Sequence, residues 1–315
     1  MQIAIFHEHP DWNAPLFAEL DRRGIDHISI DASQPDFDPY RLGDWALVFN
    51  RMSPSAWTRG HMAAMLGTPV FLHSVEAAGI PVINGSAAYE YELSKRNQLD
   101  LFRRERVQHP EGRPVLSLGE IPEAANALEF PVMVKPNVGG SGAGIAAFDN
   151  RRELAAAVES RSIDLGPDGT GVVQEQMAPR GESIVRVEIL GGEFLYAIAL
   201  KLLPGSFNLC PADYCDPAQG VGDPSDLVER VVPPEEVVEE SARIISATGA
   251  DLGGVEYLVN DHDGGVYFYD INAMSNYVAD AESVLGFNPY VDLVDYLVAR
   301  ISVASEPGTH RWRRQ

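Results

Sequence analysis

The sequence predicts a mixed α/β and α+β protein, and three observations predict it. Short β-rich runs alternate with amphipathic stretches over the first 85 residues, with glycines marking the helix ends. Between about residues 110 and 180 the hydrophobic period switches repeatedly between 2 and 3.6. The last third opens on long β-rich runs and closes on an apolar helix.

The elements follow in order. QIAIFH, DHISID, WALVFN and IPVIN read as strands, separated by helices over APLFAELDRRG and HMAAMLGTPVFLHSVEAAG, which implies a parallel sheet covered on both faces. SAAYEYELSKRNQLDLFRRERV then reads as one exposed linker helix with Ser86 as N-cap. PVLSL, FPVMVKP, GIAAFD and GVVQEQM are expected strands of a second unit, with helices over PEAANAL and RRELAAAVESR. The third unit takes IVRVEIL and FLYAIALKLL as strands and residues 204–226 as a Gly/Pro/Asp-rich loop. A helix over PPEEVVEESARIISATG, a hairpin in GVEYLVNDHDGGVYFYDIN and a terminal helix over NPYVDLVDYLVARIS complete it. The tail EPGTHRWRRQ is expected to be disordered, its arginines solvated.

At 315 residues, 45% hydrophobic and 22% charged, the chain can bury a sizeable core in two or three compact units. Its formal charge of −22 repels phosphodiester backbones, so nucleic acid is an unexpected partner. No apolar run reaches the roughly 20 residues that span a bilayer, and MQIAIFHEHP lacks a signal peptide's basic and apolar regions; a cytoplasmic location without membrane partners is expected. Cys210 and Cys215 fit no common zinc spacing and are expected to be reduced thiols.

An acidic protein that binds a nucleotide must concentrate its cations locally. Only three lysines occur, Lys95, Lys135 and Lys201, against 21 arginines; they are either accidents of composition or compact charges placed for phosphate. Lys135 ends an apolar strand and precedes Gly139, Gly140, Ser141, Gly142 and Gly144. A glycine loop exposes backbone N–H groups to phosphate oxygens; alone it reads equally well as a flexible turn, and the lysine before it favours a phosphate clamp closing as a lid. It matches neither a Walker A loop nor a G-x-G-x-x-G fingerprint. The strand end Gln174, Glu175, Gln176, Met177 offers backbone groups for an adenine edge and a thioether for its ring, and Glu182 offers a carboxylate for ribose hydroxyls.

The hairpin carries the strongest chemistry. Asp270 and Asn272, two apart, project from one strand face, and Glu256 falls opposite one of them if the turn is centred at residue 263 or 264. A two-residue Asp263-Gly264 turn would instead set Glu256 against Ile271 on the wrong face, so an odd-numbered loop with a left-handed glycine is expected. Carboxylates among Val255, Tyr257, Tyr267, Phe268 and Tyr269 would want a cation, and oxygen-only ligands point to magnesium or manganese rather than zinc.

In order, Lys95, Lys135, the glycine loop, Gln174–Gln176, Glu182, Lys201, Glu256 and Asp270-x-Asn272 resemble the ATP-grasp superfamily from about residue 86 to 300. Within it the chain is most similar to the carboxylate-amine ligases, the branch of D-alanine:D-alanine ligase, glutathione synthetase and ribosomal-protein glutamate ligase. The resemblance implies a Rossmann-like pre-grasp domain (1–85), a linker helix and central lid subdomain (86–180), a C-terminal subdomain with the metal site (181–302) and a tail (303–315). It implies that Lys95, Lys135 and the loop hold ATP phosphates, Gln174 to Met177 the adenine, Glu182 the ribose, and Glu256, Asp270 and Asn272 two Mg²⁺ ions, with Mn²⁺ as a substitute. Lys201 falls near the nucleotide. D-alanine ligases carry an arginine two residues before the first metal carboxylate; this chain has Gly254, and Arg186 is the candidate replacement cation. Ala273, Met274, Ser275 and Asn276 replace those ligases' Ser-Pro-Gly stretch, which leaves the substrate open.

The implied reaction joins a small carboxylate to an amine through an acyl-phosphate, by positioning and preorganised cations. Beyond the strand ends of the first sheet, Arg51 and Arg59 are candidates to clasp substrate carboxylates, or else cap helices and pair with surface acids, with Ser53 and His61 beside them; Asn208, Asp213, Asn276 and Tyr277 are further candidate contacts. A homodimer is expected by resemblance. The competing functions are a phosphotransferase on the same scaffold and a non-catalytic ATP-binding protein.

Overall fold

The computed structural model describes residues 2–202, 227–278 and 280–304. Asn208, Asp213, both cysteines and the tail lie outside the described residues.

The first sheet is parallel, in the order β2-β1-β3-β4, from strands β1 (Ile3–His7), β2 (His27–Asp31), β3 (Leu47–Asn50) and β4 (Val82–Ile83). Strands β1 and β3 are buried along their whole length, as continuous apolar runs in a covered parallel sheet should be. Helices α1 (Ala14–Arg22) and α2 (Met62–Ala77) contribute to separate apolar clusters, and the α1 cluster merges with that of the C-terminal sheet.

The expected single linker helix is two helices, α3 (Ser86–Glu92) and α4 (Lys95–Glu105). The break has a local cause. Ser94 is extended, its Oγ accepts from Asn97 N at 3.2 Å, and it donates to Asn137 Oδ1 at 2.9 Å, so it opens a new helix. Ser86 is not the N-cap; Gly85 is, and the Ser86 hydroxyl donates to Glu76. Nor is the segment exposed: Tyr89, Glu92, Gln98, Leu99, Leu101 and Phe102 are buried.

The second sheet, β5-β8-β6-β7, is antiparallel: β5 (Gly112–Val115), β6 (Val132–Pro136), β7 (Ala146–Phe148) and β8 (Gly171–Glu175), covered by α5 (Ile121–Asn126) and α6 (Arg151–Glu159) around its own core. The third sheet runs β11-β10-β9-β12-β13, with β9 (Ser183–Leu190), β10 (Glu193–Lys201), β11 (Val228–Val231), β12 (Leu252–Val259) and β13 (Val266–Asn272). The sequence reading missed β11 and the short α8 (Ala281–Leu285); α7 (Glu235–Thr248) and α9 (Pro289–Ala304) fall where expected.

The β12–β13 hairpin resolves the register conflict by a different device. Near its tip Val259 pairs with Val266, with the Asn260 N–H donating to Gly265 O, so four residues turn the chain and the loop is not odd-numbered. Gly264 is left-handed, at φ +74°. A β-bulge at Tyr269 then shifts the pairing by one, from Tyr257↔Phe268 to Glu256↔Asp270. Without that extra residue the two acids would face opposite sides.

Candidate active site

Strands β9, β12 and β13 lie side by side, and their register sets two rows of side chains on one face: Arg186, Glu256, Asp270, and Glu188, Gly254, Asn272. Arg186 donates from Nε to Glu188 Oε1 at 2.7 Å, from Nη1 to Glu256 Oε1 at 3.2 Å and from Nη2 to Ser275 Oγ at 2.7 Å. Ser275 Oγ in turn donates to Glu188 Oε1 at 2.6 Å. The gap at Gly254 is therefore filled: a Cβ there would stand 2.7 Å from Arg186 Nε and 2.9 Å from Glu188 Oε1.

Glu256 is buried, and burial raises its pKa, reinforced by Asp270 and opposed by Arg186. Asp270 Oδ1 receives the Lys95 ammonium at 2.5 Å, and Asn272 Nδ2 donates to Glu256 Oε1 at 3.1 Å. Burial alone would lower the Lys95 pKa, but Asp270, with Glu256 and Glu92, outweighs it and the ammonium is held above its ordinary range. Lys135, from β6, lies over the Tyr269 ring at 5.2 Å; burial lowers its pKa to about 8, and the Lys95 charge adds to the effect. A buried ammonium of depressed pKa stabilises an incoming anion.

The glycine loop leans over these lysines. Gly140 has φ +134°, and a Cβ on it would stand 2.7 Å from Ser55 Cβ; one on Gly139 would stand 3.1 Å from Lys95 Cε. Only a chain without side chains approaches both surfaces.

All of this encloses a cavity of about 850 Å³. Its wall takes in Lys95, Lys135, Gly140, Ser141, Gly142, Lys201, Arg186, Glu256, Asp270 and Asn272, together with the strand end Gln174, Glu175, Gln176 and Met177, and Glu182, Ser53 and Asn276. The strand-end donors differ from expectation. Glu175 N and Gln176 N already donate to Glu111 O and Pro131 O at 2.9 Å, which leaves Met177 N–H as the next donor along the chain. Glu182 is left-handed, at φ +53°, at the end of a turn closed by its N–H donating to Pro179 O at 3.2 Å, and its carbonyl accepts from Leu202 N at 2.8 Å.

No family model matches the chain. Among curated proteins it is similar to the formate-dependent phosphoribosylglycinamide formyltransferase of Bacteroides fragilis, 28% identical over 213 residues, covering 64% of this chain and 50% of that protein. It is also similar to the probable alpha-L-glutamate ligase of Alcanivorax borkumensis, 26% identical over 207 residues, covering 64% and 63%. The chain thus spans about half the length of the first of these relatives. Its fold is that of the ATP-grasp ligase PsnB complexed with a phosphomimetic variant of its minimal precursor, Mg and ADP, with a TM-score of 0.67 at 18% identity over 95% of this chain and 98% of that one. The chain has the ATP-grasp fold.

At the substrate end the expected arginines are engaged within the chain. Arg51 is buried, its guanidinium donating to Asn13 Oδ1 at 3.2 Å, Ser275 O at 2.5 Å and Asn276 Oδ1 at 2.6 Å. Arg59 likewise pairs with Glu8 at 2.5 Å, bonds Ser55 Oγ at 3.0 Å and lies over Trp12, while His61 Nδ1 meets Glu8 Oε2 at 2.7 Å. Neither arginine nor His61 lines the cavity. Among the described residues no cluster of three or more His, Cys, Asp or Glu stands ready for a metal; the oxygen set here is two carboxylates and an amide. Sequence reasoning missed Glu188, Ser275 and Glu92. The first was findable, since it alternates with Arg186 on a strand. Among the described residues no helix is long and apolar enough to cross a membrane.

Proposed function

We propose that this protein is an ATP- and Mg²⁺-dependent carboxylate-amine ligase that works through an acyl-phosphate. The observation that carries the reading is the facing of Lys95, Lys135 and the glycine loop against the Arg186–Glu256–Asp270 row across one cavity. That arrangement suits phosphoryl transfer, in which positioning and charge stabilisation do nearly all the work.

The residues fit a divalent cation. Two acids share one face, burial and the neighbouring Asp270 push Glu256 toward its neutral form, and the Lys95 ammonium on Asp270 supplies part of the balancing charge. Glu256, Asp270 and Asn272 would hold the ion, with the Asn272 amide turned to present its oxygen. Magnesium bound there supplies neutralisation of the phosphate oxygens.

The chain's own groups do the rest. Lys135 and the loop amides hold the transferred phosphoryl group, and the loop excludes water that would hydrolyse the activated acid. Arg186 lies behind Glu256 with its guanidinium fixed by Glu188 and Ser275, a preorganised cation for the charge that develops on the acyl oxygen. Met177 and the Gln174–Gln176 strand end take the adenine, Glu182 the ribose. The relatives' names, with formate and glutamate in them, support a small carboxylate as one substrate.

The test is ADP release measured against a panel of amino acids and short-chain acids, with hydroxylamine as surrogate amine. An ATP- and Mg²⁺-dependent hydroxamate identifies the acid. ADP formed at equal rate with and without every acid, and no hydroxamate, defeats the proposal.

A further inference from the structure

We propose that Glu92 receives the amine substrate, accepting its ammonium group and taking the proton that frees the lone pair for attack on the acyl-phosphate. The inference deepens the ligase reading and rests on it.

Glu92 ends α3, three residues before Lys95, and lines the reaction cavity although only 8% exposed. None of the phosphate, adenine, ribose or metal roles uses it. Its one hydrogen bond among the described residues comes from Met274 N–H to Oε2, at 3.0 Å. Met274 belongs to the segment that joins the metal-site strand β13 to Asn276, so the bond aims the carboxyl at the junction of the metal site and the substrate end. A buried carboxyl with one neutral donor is expensive to keep unless a ligand satisfies it. The charged groups around it are Lys95 from α4, Asp270 from β13, Arg186 from β9 and Arg51 at the end of β3. Burial raises its pKa to about 7, which is where a general base operates near neutrality.

The step balances. An ammonium substrate gives one proton to the Glu92 carboxylate, which later passes it to solvent. The nitrogen lone pair then forms the C–N bond to the acyl carbon, the bond from that carbon to the phosphate oxygen breaks, and phosphate leaves with the electron pair and the second proton as HPO₄²⁻. Hydroxylamine is uncharged at neutral pH and needs no such first deprotonation.

The experiment is a competition. Full-length protein with Mg²⁺-ATP and the acid found by the hydroxamate screen is given hydroxylamine together with each common amino acid in turn, and both products are quantified. In Glu92→Gln, whose amide oxygen still accepts Met274 N–H, the ratio of amide to hydroxamate falls by about 10²-fold or more. Glu92→Ala behaves alike, and thermal unfolding with and without Mg²⁺-ATP establishes that both variants are folded. An unchanged ratio overturns the proposal, as does a wild-type protein that makes hydroxamate but no amide with any amino acid. A wild type that makes no hydroxamate overturns the ligase reading instead, and the role of Glu92 with it.

Discussion

Gly254→Ala tests whether the arrangement of Arg186 matters to turnover. The new Cβ would lie 2.7 Å from Arg186 Nε, 2.9 Å from Glu188 Oε1 and 3.0 Å from Arg186 Nη2, inside any real contact distance. Either the strands separate or the guanidinium swings out of its bonds to Glu188, Glu256 and Ser275. Overpacking of this kind destabilises by about 1–3 kcal/mol. Loss of one preorganised cation from a reacting centre lowers kcat by roughly 10²–10³-fold. Gly253→Ala is the control, because its Cβ points to the other side of β12, 2.7 Å from Ile245 Cδ1 on α7. Urea unfolding and steady-state ADP release are measured on both. Both variants lose stability, and only Gly254→Ala loses kcat. If Gly254→Ala turns over at the wild-type rate, or if the two variants slow equally, Arg186 is a packing residue and the cation argument fails.

Three other outcomes are expected. Glu256→Gln and Asp270→Asn each lower Mg²⁺-dependent ADP release at least ~100-fold, and Mg²⁺ no longer tightens nucleotide binding, as read by calorimetry. The folded pKa of Lys135, about 8, lies below its ordinary 10.5; between those values the folded chain binds fewer protons, so apo stability rises with pH there, whereas nucleotide affinity falls above about pH 8, a fall that Lys135→Met abolishes in titrations. Glu92 has the opposite sign: its folded value of about 7 exceeds 4.5, so its contribution is intact at acid pH and is lost as pH rises through 7, by about 3 kcal/mol. Glu92→Gln is accordingly more stable than wild type in urea at about pH 8 and not at about pH 4.5; equal stability at both would show that the carboxyl is not desolvated.

Much of the site was legible because strand periodicity is arithmetic. Alternation put Asp270 and Asn272 on one face, and parity put Glu256 opposite one of them, which the structure shows to be Asp270. How the chain satisfied that parity was not legible, since a bulge at Tyr269 leaves no mark in the order of apolar residues. The partners of Arg51 and Arg59 could not be named from the sequence for a related reason. Arg51 bonds Ser275 and Asn276, more than two hundred residues on, and Glu8, which engages Arg59, looks in sequence like any exposed acid at a strand end. The polar run at residues 94–98 marks the break at Ser94 only faintly, and the contact with Asn137 that stabilises the break is tertiary.

Arg51 has a practical consequence for anyone recombining such chains. It grows from the last turn of a parallel strand in the first unit yet grips the backbone and amide at Ser275 and Asn276, beside the reaction cavity. A chimera that grafts a foreign first unit at residue 85 severs that grip and frees the segment it braces. Successful domain exchange therefore requires moving 273–277 with its distant anchor, as a single inherited piece cut from two places in the sequence.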